Sequence, residues 1–474
     1  MKLAIRIAWE QWRGLRRDRV AVFGLILLTL LTAIAALSAY EHQHHANVQR
    51  AFYQAQADTA FENQPDRHPH RMAHFGHFLF RPINPLAAFD PGIDPYTGNT
   101  LFLEAHRQNS ANFGDVRQSS LLLRFGQLTP AFVLQVLAPL LLVFVGHALV
   151  AGERESGMLR VLLAQGVSTH TLLLGKGLAL AGFAVLCGLP AALALLWLLC
   201  SGQVDMLSTG ILWLGYALWL GLWSLLVIWV SALCARGRDA LLALLAIWTI
   251  GVILLPRAMP DIANTLVNLP TRFETEIQVE RDYQALGDAH NPDDPAFAEF
   301  RDKVLAEYGV DRIEELPVNF KGLVGAEGER QSSELFNRYA DASFYQQQKQ
   351  IHWVNRAAWL SPTLALRRLS MAAAQTDLAH FRHFLQQGEQ YRYNLVQGLN
   401  RLQAEAMTLD EDQGSTSRIS HSHWQAFPPF VYIPLPTVHT MNHVLPAVGI
   451  LLSWLAILMG LAWQAARRLS KGVR

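Results

Sequence analysis

The residues best placed to do chemistry form one short run, Glu153-Arg154-Glu155, standing where a long apolar block ends. Two carboxylates astride a guanidinium at such an exit can form a charged cap. The run leads through Gly157 into a short amphipathic stretch with Met158, Leu159, Leu162 and Leu163 on one side, then a break at Gly166 and a cap at Ser168. A short helix presented between two apolar blocks can dock in a groove of another protein. An ordinary surface loop fits the same composition equally well.

Eighteen histidines raise the question of metal. His42, His44 and His45 cluster, as do His68, His70, His74 and His77. Imidazole is a common metal ligand, and His70 and His74 can share a helix face. With His77 they are the residues a metal would use. The Pro and Gly neighbours argue against a regular helix there, and no Cys or tight carboxylate set joins them. No metal is therefore assigned, and the histidines are expected to be solvated or packed. No nucleophile-base arrangement stands out, and Ser361 before Pro362 reads as a turn or cap. A phosphate-cradling loop needs G-x-x-x-x-G-K-[ST]. Gly175-Lys176 is followed by Gly177 and has no Gly five residues before it, so no ATP site is read in this chain.

Long apolar blocks must position these residues. Of 474 residues, 51% are hydrophobic and 16% charged, against about 25% charged in soluble domains. A membrane span needs about 20 apolar residues. Six blocks meet or approach this length: 20–40, 130–150, 177–200, 210–234, 240–256 and 443–463. None contains Asp, Glu, Lys or Arg. The first is too long for a signal-peptide core of roughly 7–15 residues and reads as a retained helix. The net charge of +1 gives no bulk argument for nucleic-acid binding.

Positive charge sets the orientation. Lys and Arg crowd residues 1–19, the segment 151–176, the turn at Arg236 and Arg238, and the tail 464–474, while the loop 201–209 has none. With six spans these basic segments fall on one side, which makes both termini cytoplasmic. Two large segments, 41–129 and 257–442, then lie outside, in the periplasm of a bacterium with two membranes. The expected fold is mainly α, a polytopic membrane protein with six transmembrane helices and two large extracytoplasmic insertions. Cys187, Cys200 and Cys234 all lie in or at the end of apolar blocks, so the insertions fold without disulfides.

Residues 1–19 read as an amphipathic interfacial helix. Ile5, Ala8, Trp9, Trp12 and Leu15 share one face, and Trp9 and Trp12 beside Arg13, Arg16 and Arg17 suit the headgroup layer. The first insertion opens with a helical stretch, then turns rich in Pro, Gly and aromatics. The second is mostly helical, with helices expected over Phe273–Leu286, Pro295–Tyr308, Ser332–Trp359 and His380–Met407, and a break at Ser361-Pro362.

The segment AGERESGMLRVLLAQGVSTHTLLLGKGLAL resembles the ABC-2 family of exporter permeases. In that family an acidic-basic-acidic cluster, a Gly, a Leu pair and a Gly-Lys precede the next span. FGHFLFRPINPLAAFDPGIDPYTG, LEAHRQN, RFGQLTPAFVLQ, LPVNFKGL, Trp359-Leu360-Ser361-Pro362 and TDLAHFRHF look like the subfamily carrying a DUF3526-type domain. The likeness runs along essentially the whole chain. One departure is Gln375, where relatives often carry Gly. The resemblance implies an ABC-2 (type V exporter-like) fold. It implies that 151–176 couples to a cytoplasmic ABC ATPase through Glu153, Arg154, Glu155, Gly157, Leu159, Leu162 and Leu163. ATP and Mg would be bound by that partner, with no cofactor in this chain. A second permease copy, identical or related, membrane lipids and a periplasmic protein are the other partners implied, in the bacterial inner membrane.

Two readings of function follow. One is an export permease. The other is a mechanical transmitter that moves the insertions or a periplasmic partner without translocating cargo. Uncharged spans favour the second, or an apolar cargo, over ions. A membrane-embedded enzyme lacks a polar cluster to support it.

Overall fold

The computed structural model describes residues 1–109, 128–413 and 417–471. The rest of the first insertion, part of the acidic Ser-rich loop and the end of the tail lie outside the described residues. In chain order the main elements are α1 (Lys2–Leu15), α2 (Arg19–Glu62), α3 (Pro69–Phe75), β1 (His77–Phe80), β2 (Thr100–Leu103), α4 (Pro130–Glu155), α5 (Met158–Ala164) and α6 (Thr169–Cys200). Then come α7 (Met206–Leu233), α8 (Gly237–Leu266), α9 (Arg272–Gln284), α10 (Ala298–Tyr308), α11 (Phe320–Ala357), α12 (Pro362–Ala374), α13 (Leu378–Ala406) and α14 (Thr437–Lys471).

Six of these, α2, α4, α6, α7, α8 and α14, are long and apolar enough to cross a membrane. Their surfaces agree with a lipid solvent. Along α2, Val20, Phe23, Leu27, Leu30, Ile34 and Leu37 recur at helical spacing and are each more than half exposed, a stripe no water-facing helix sustains. The opposite side, with Ala21, Leu28, Thr32 and Ala35, is buried in the bundle. The chain is a transmembrane protein. α1, the α4–α6 connection and the end of α14 gather at one end of the bundle, here called the terminal end; the insertions sit at the other.

The helices overrun the apolar blocks. α2 is one helix of 44 residues, about 66 Å long at 1.5 Å per residue, so it crosses the bundle and continues deep into the first insertion. α6 begins at Thr169 because Ser168 caps it, accepting from the Thr171 amide. The segment 151–176 therefore shrinks to a short connection around α5.

Two spans contain a wide π turn, Val133–Leu137 in α4 and Thr249–Leu254 in α8. Such turns free backbone carbonyls, which cannot stay unpaired in a bilayer. Here tryptophans and hydroxyls serve them. The Trp219 indole donates to the Leu134 carbonyl at 3.1 Å and Trp248 to that of Val136 at 3.0 Å. Ser361 and Thr363 both donate to the Gly251 carbonyl.

That last contact marks a departure from the sequence reading. Segment 257–442 is not wholly separate from the spans. Helix α12 lies against α7 and α14, and Leu366, Leu369, Ala372, Ala373 and Ala374 join the bundle's core. Ser361-Pro362 starts this helix, with Pro at its first turn. Outside the bundle, α11 and α13 pack as a long pair. β1 and β2 pair antiparallel, with His77 opposite Leu103. Smaller cores form around Phe61, Met72 and Trp424, and around Phe297 and Phe320. The expected helices are present: α9 and α10 nearly as drawn, α13 from Leu378, and α11 from Phe320 rather than Ser332.

Candidate functional sites at the two ends of the bundle

At the terminal end, the three charged residues of the Glu153 run clasp four helices. Glu153 Oε1 receives the Lys176 ammonium of α6 at 2.7 Å, and Lys176 also donates to Gln11 of α1 at 3.2 Å. Arg154 donates to the carbonyls of Leu233 and Cys234 at 3.3 and 3.2 Å, neutralising the negative end of α7. Glu155 accepts the Gly237 amide at 3.0 Å, capping the positive end of α8. A fourth tie is Ser231, which donates to the His147 carbonyl at 2.7 Å and accepts the Val150 and Ala151 amides.

Gly157, at φ +77, turns the chain from this hub into α5. Leu159 is buried, and Leu162 and Leu163 pack partly against the bundle core. Met158, Arg160 and Val161 face outward. The leucines thus anchor α5, and its free face is a different set of residues. α1 lies along α6, with Ala4 and Leu15 buried and Trp12 packed on the core. Ile5 and Trp9 remain exposed, with Arg13 over the Trp9 ring at 5.8 Å; Arg16 and Arg17 are also exposed. One side meets protein and another offers aromatic and basic groups.

At the insertion end, His70, His74, His106 and His290 converge, with one ligand nitrogen from each lying within 4.8 Å of the others. His70 and His74 sit one turn apart on α3. Pro69 starts this helix rather than preventing it, and His68 caps it, accepting the His70 amide. His77 is not in the group: it lies on β1 and pairs with Asp58 at 3.0 Å. His106 follows β2, and His290 lies between α9 and α10. Burial, followed by the neighbouring imidazoles, pulls His70 down to about 3. Burial also lowers His74. Both rings are therefore neutral near pH 7.

A buried ionic network backs this cluster. Glu329 Oε2 accepts the His106 amide at 2.9 Å, and Arg392 lies 2.6 Å from Glu329 and 2.8 Å from Glu389. These groups join the turn after β2 to α11 and α13. Beside them, α9, α11, α13 and β2 line an open cleft of about 1600 Å³, edged by Arg107, Phe273, Ile277, Phe336 and Phe344.

Between the two ends, Asp90, Gln135, Tyr216, Arg367 and Ser370 form a buried junction. Gln135 donates to the Tyr216 hydroxyl at 2.8 Å, Tyr216 lies 2.9 Å from Ser370 Oγ, and Arg367 donates to Gln135 at 3.3 Å. Burial raises Asp90, opposed by its Ser370 and Gly92 hydrogen bonds and by the Arg367 charge.

His106 and His290 escaped the sequence reading because they stand far along the chain from the HPH run, with no local spacing to link them. No curated protein matches the chain. Residues 272–433, covering α9 to α13 and about a third of the chain, match the family described as Domain of unknown function (DUF3526).

Proposed function

We propose that this chain is the membrane subunit of an ABC-2-type transporter, driven by a separate cytoplasmic ATPase and exporting its cargo through a pair of permease chains in the bacterial inner membrane. The observation that carries this reading is the hub at Glu153, Arg154 and Glu155. It ties α4 to α1, α6, α7 and α8 directly beside a short helix whose Met158, Arg160 and Val161 point outward. A push on α5 would reach four spans through charge-assisted bonds. In this reading the terminal end is cytoplasmic, the insertions are periplasmic, and ATP and Mg stay with the partner. The exposed apolar stripe of α2 is open to lipid or to the second permease.

A second reading, mechanical transmission without cargo, is supported by the unbroken run of α2 from the bundle into the first insertion. The test is co-purification with the ATPase chain and measurement of ATP turnover in nanodiscs. V161D and the charge reversal E155K should each cut the stimulation of ATP turnover at least about 10-fold while the chain still folds. Unchanged stimulation in both variants, or failure to recover any ATPase, overturns the proposal.

A further inference from the structure

We propose that His70, His74, His106 and His290 bind one divalent transition-metal ion of the zinc class and so fasten the two insertions to each other. The inference stands on the insertion-end geometry and holds whichever transport reading is right.

The donors already approach coordination spacing. His74 Nε2 lies 3.2 Å from His70 Nε2. Zinc–nitrogen bonds of 2.0–2.1 Å in a tetrahedron place neighbouring nitrogens about 3.3 Å apart. All four donors fall within 4.8 Å of one another, so small side-chain adjustments close the set. An all-imidazole site selects zinc, copper, nickel or cobalt over calcium or magnesium, which prefer oxygen.

His106 supplies an independent sign of a missing partner. Its residue is only 7% exposed, yet its Nε2 is buried without a hydrogen-bond partner. A buried unpaired donor or acceptor costs about 1–3 kcal/mol. The other ring nitrogen, Nδ1, lies 3.4 Å from Glu329 Oε2. A carboxylate behind one nitrogen, with the other left free, is the arrangement that orients metal-binding histidines. His106 also holds φ +61, a left-handed backbone that a non-glycine residue adopts at a cost. His290 repeats the pattern: its Nδ1 lies 2.9 Å from Asp288 Oδ1, which leaves Nε2 for the ion.

The scaffold holds the fourth ligand close. At Gly328 an added Cβ would lie 2.3 Å from Ala289 Cβ, so only glycine lets the His290 loop press against α11 beside Glu329. His70, His74 and His106 come from the first insertion and His290 from the second. The metal would therefore pin the loop that follows α9, a helix that lines the cleft.

The test uses the full-length protein in nanodiscs, stripped with a chelator and titrated with zinc ion alone, with bound metal counted by elemental analysis after gel filtration. Cobalt(II) substitution reports the geometry through its visible absorption. One zinc per chain and a tetrahedral cobalt spectrum are expected. H290N, an exposed-loop change, and H74Q should each weaken binding at least about 100-fold, D288N about 10- to 100-fold, and H352Q, elsewhere on α11, should change nothing. Circular dichroism and thermal melting confirm that each variant is folded. Substoichiometric zinc in the wild type, or undiminished affinity in the H74Q/H290N double variant, overturns the proposal.

Discussion

The Glu153–Lys176 pair offers the sharpest test of the terminal-end hub. The charges lie 2.7 Å apart, a gross attraction of about 6 kcal/mol at an effective dielectric near 20. Much of that offsets the desolvation of two ions. The burial is unequal: the Lys176 side chain is 2% exposed and that of Glu153 26%. Removing the carboxylate's charge leaves a buried ammonium with only neutral amide acceptors, so E153Q should cost about 3–5 kcal/mol. K176M replaces the ammonium with an apolar chain of similar length and leaves the less deeply buried partner alone, for about 1–3 kcal/mol. The E153Q/K176M double variant leaves no buried charge and should lie within about 1–2 kcal/mol of the wild type. Unfolding in nanodiscs, followed by tryptophan fluorescence, gives the three values as a double-mutant cycle. The expected order is E153Q worst, K176M intermediate, and the double variant better than E153Q. A double variant as unstable as the sum of the two singles would refute the reasoning, because the pair would then not be compensating a shared desolvation.

Three further outcomes follow from the same geometry. S361A and T363V should each be mild, since the other hydroxyl still serves the Gly251 carbonyl, whereas the double variant should lose about 1–3 kcal/mol in a thermal melt and expose α12 to hydrogen exchange. In G175V, a Cβ 2.7 Å from the Ala4 carbonyl and from Ile7 should prise α1 from α6 at a cost of about 1–3 kcal/mol, read as roughly 10-fold faster trypsin cleavage at Arg13 and Arg16. Burial raises Asp90 in the folded state above its ordinary 3.8. Its contribution to stability is then full below that ordinary value and is lost as pH rises through the folded one, so D90N should flatten the decline in melting temperature over that window.

The spans were legible because charge-free stretches of this length have few other uses. Their ends were not, because hydropathy marks where lipid stops and not where a helix stops. Beyond Tyr40, α2 continues through Glu, Gln, Arg and five alanines, strong helix formers in water. Helix α12 was hidden for the converse reason. Arg367 and Arg368 interrupt its apolar pattern, although Ser361-Pro362 correctly marks its start. At the hub, the charges were readable as a cap, but their partners lie on helices that only the packing brings near. On α5 the leucine pair looked like a docking face because amphipathicity reveals an apolar side without saying what covers it; in the structure the bundle covers much of it. For the histidines, the one-turn spacing of His70 and His74 was visible. The Pro that argued against a helix proved to be its first residue.

The two readings of function place different demands on the same helices. An export path needs an opening between two permease copies, and the apolar faces free to line it include those of α2 and α8, where Leu30, Leu242 and Ile250 are exposed. Such a seam offers ions no compensation for lost water and suits an apolar or amphipathic cargo. A transmitter needs stiffness instead, and α2 supplies it. A tilt of about 5° at one end of a 66 Å rod moves the other end by about 6 Å, enough to change the width of the cleft beside α9. In either reading the push would enter at the hub, where α1, α4, α6, α7 and α8 meet. What separates the readings is therefore the insertion end. If the insertions are levered by α2, a bond between the two insertions at His290 would resist the motion. If they stand apart from an export path, the same bond would leave export unchanged.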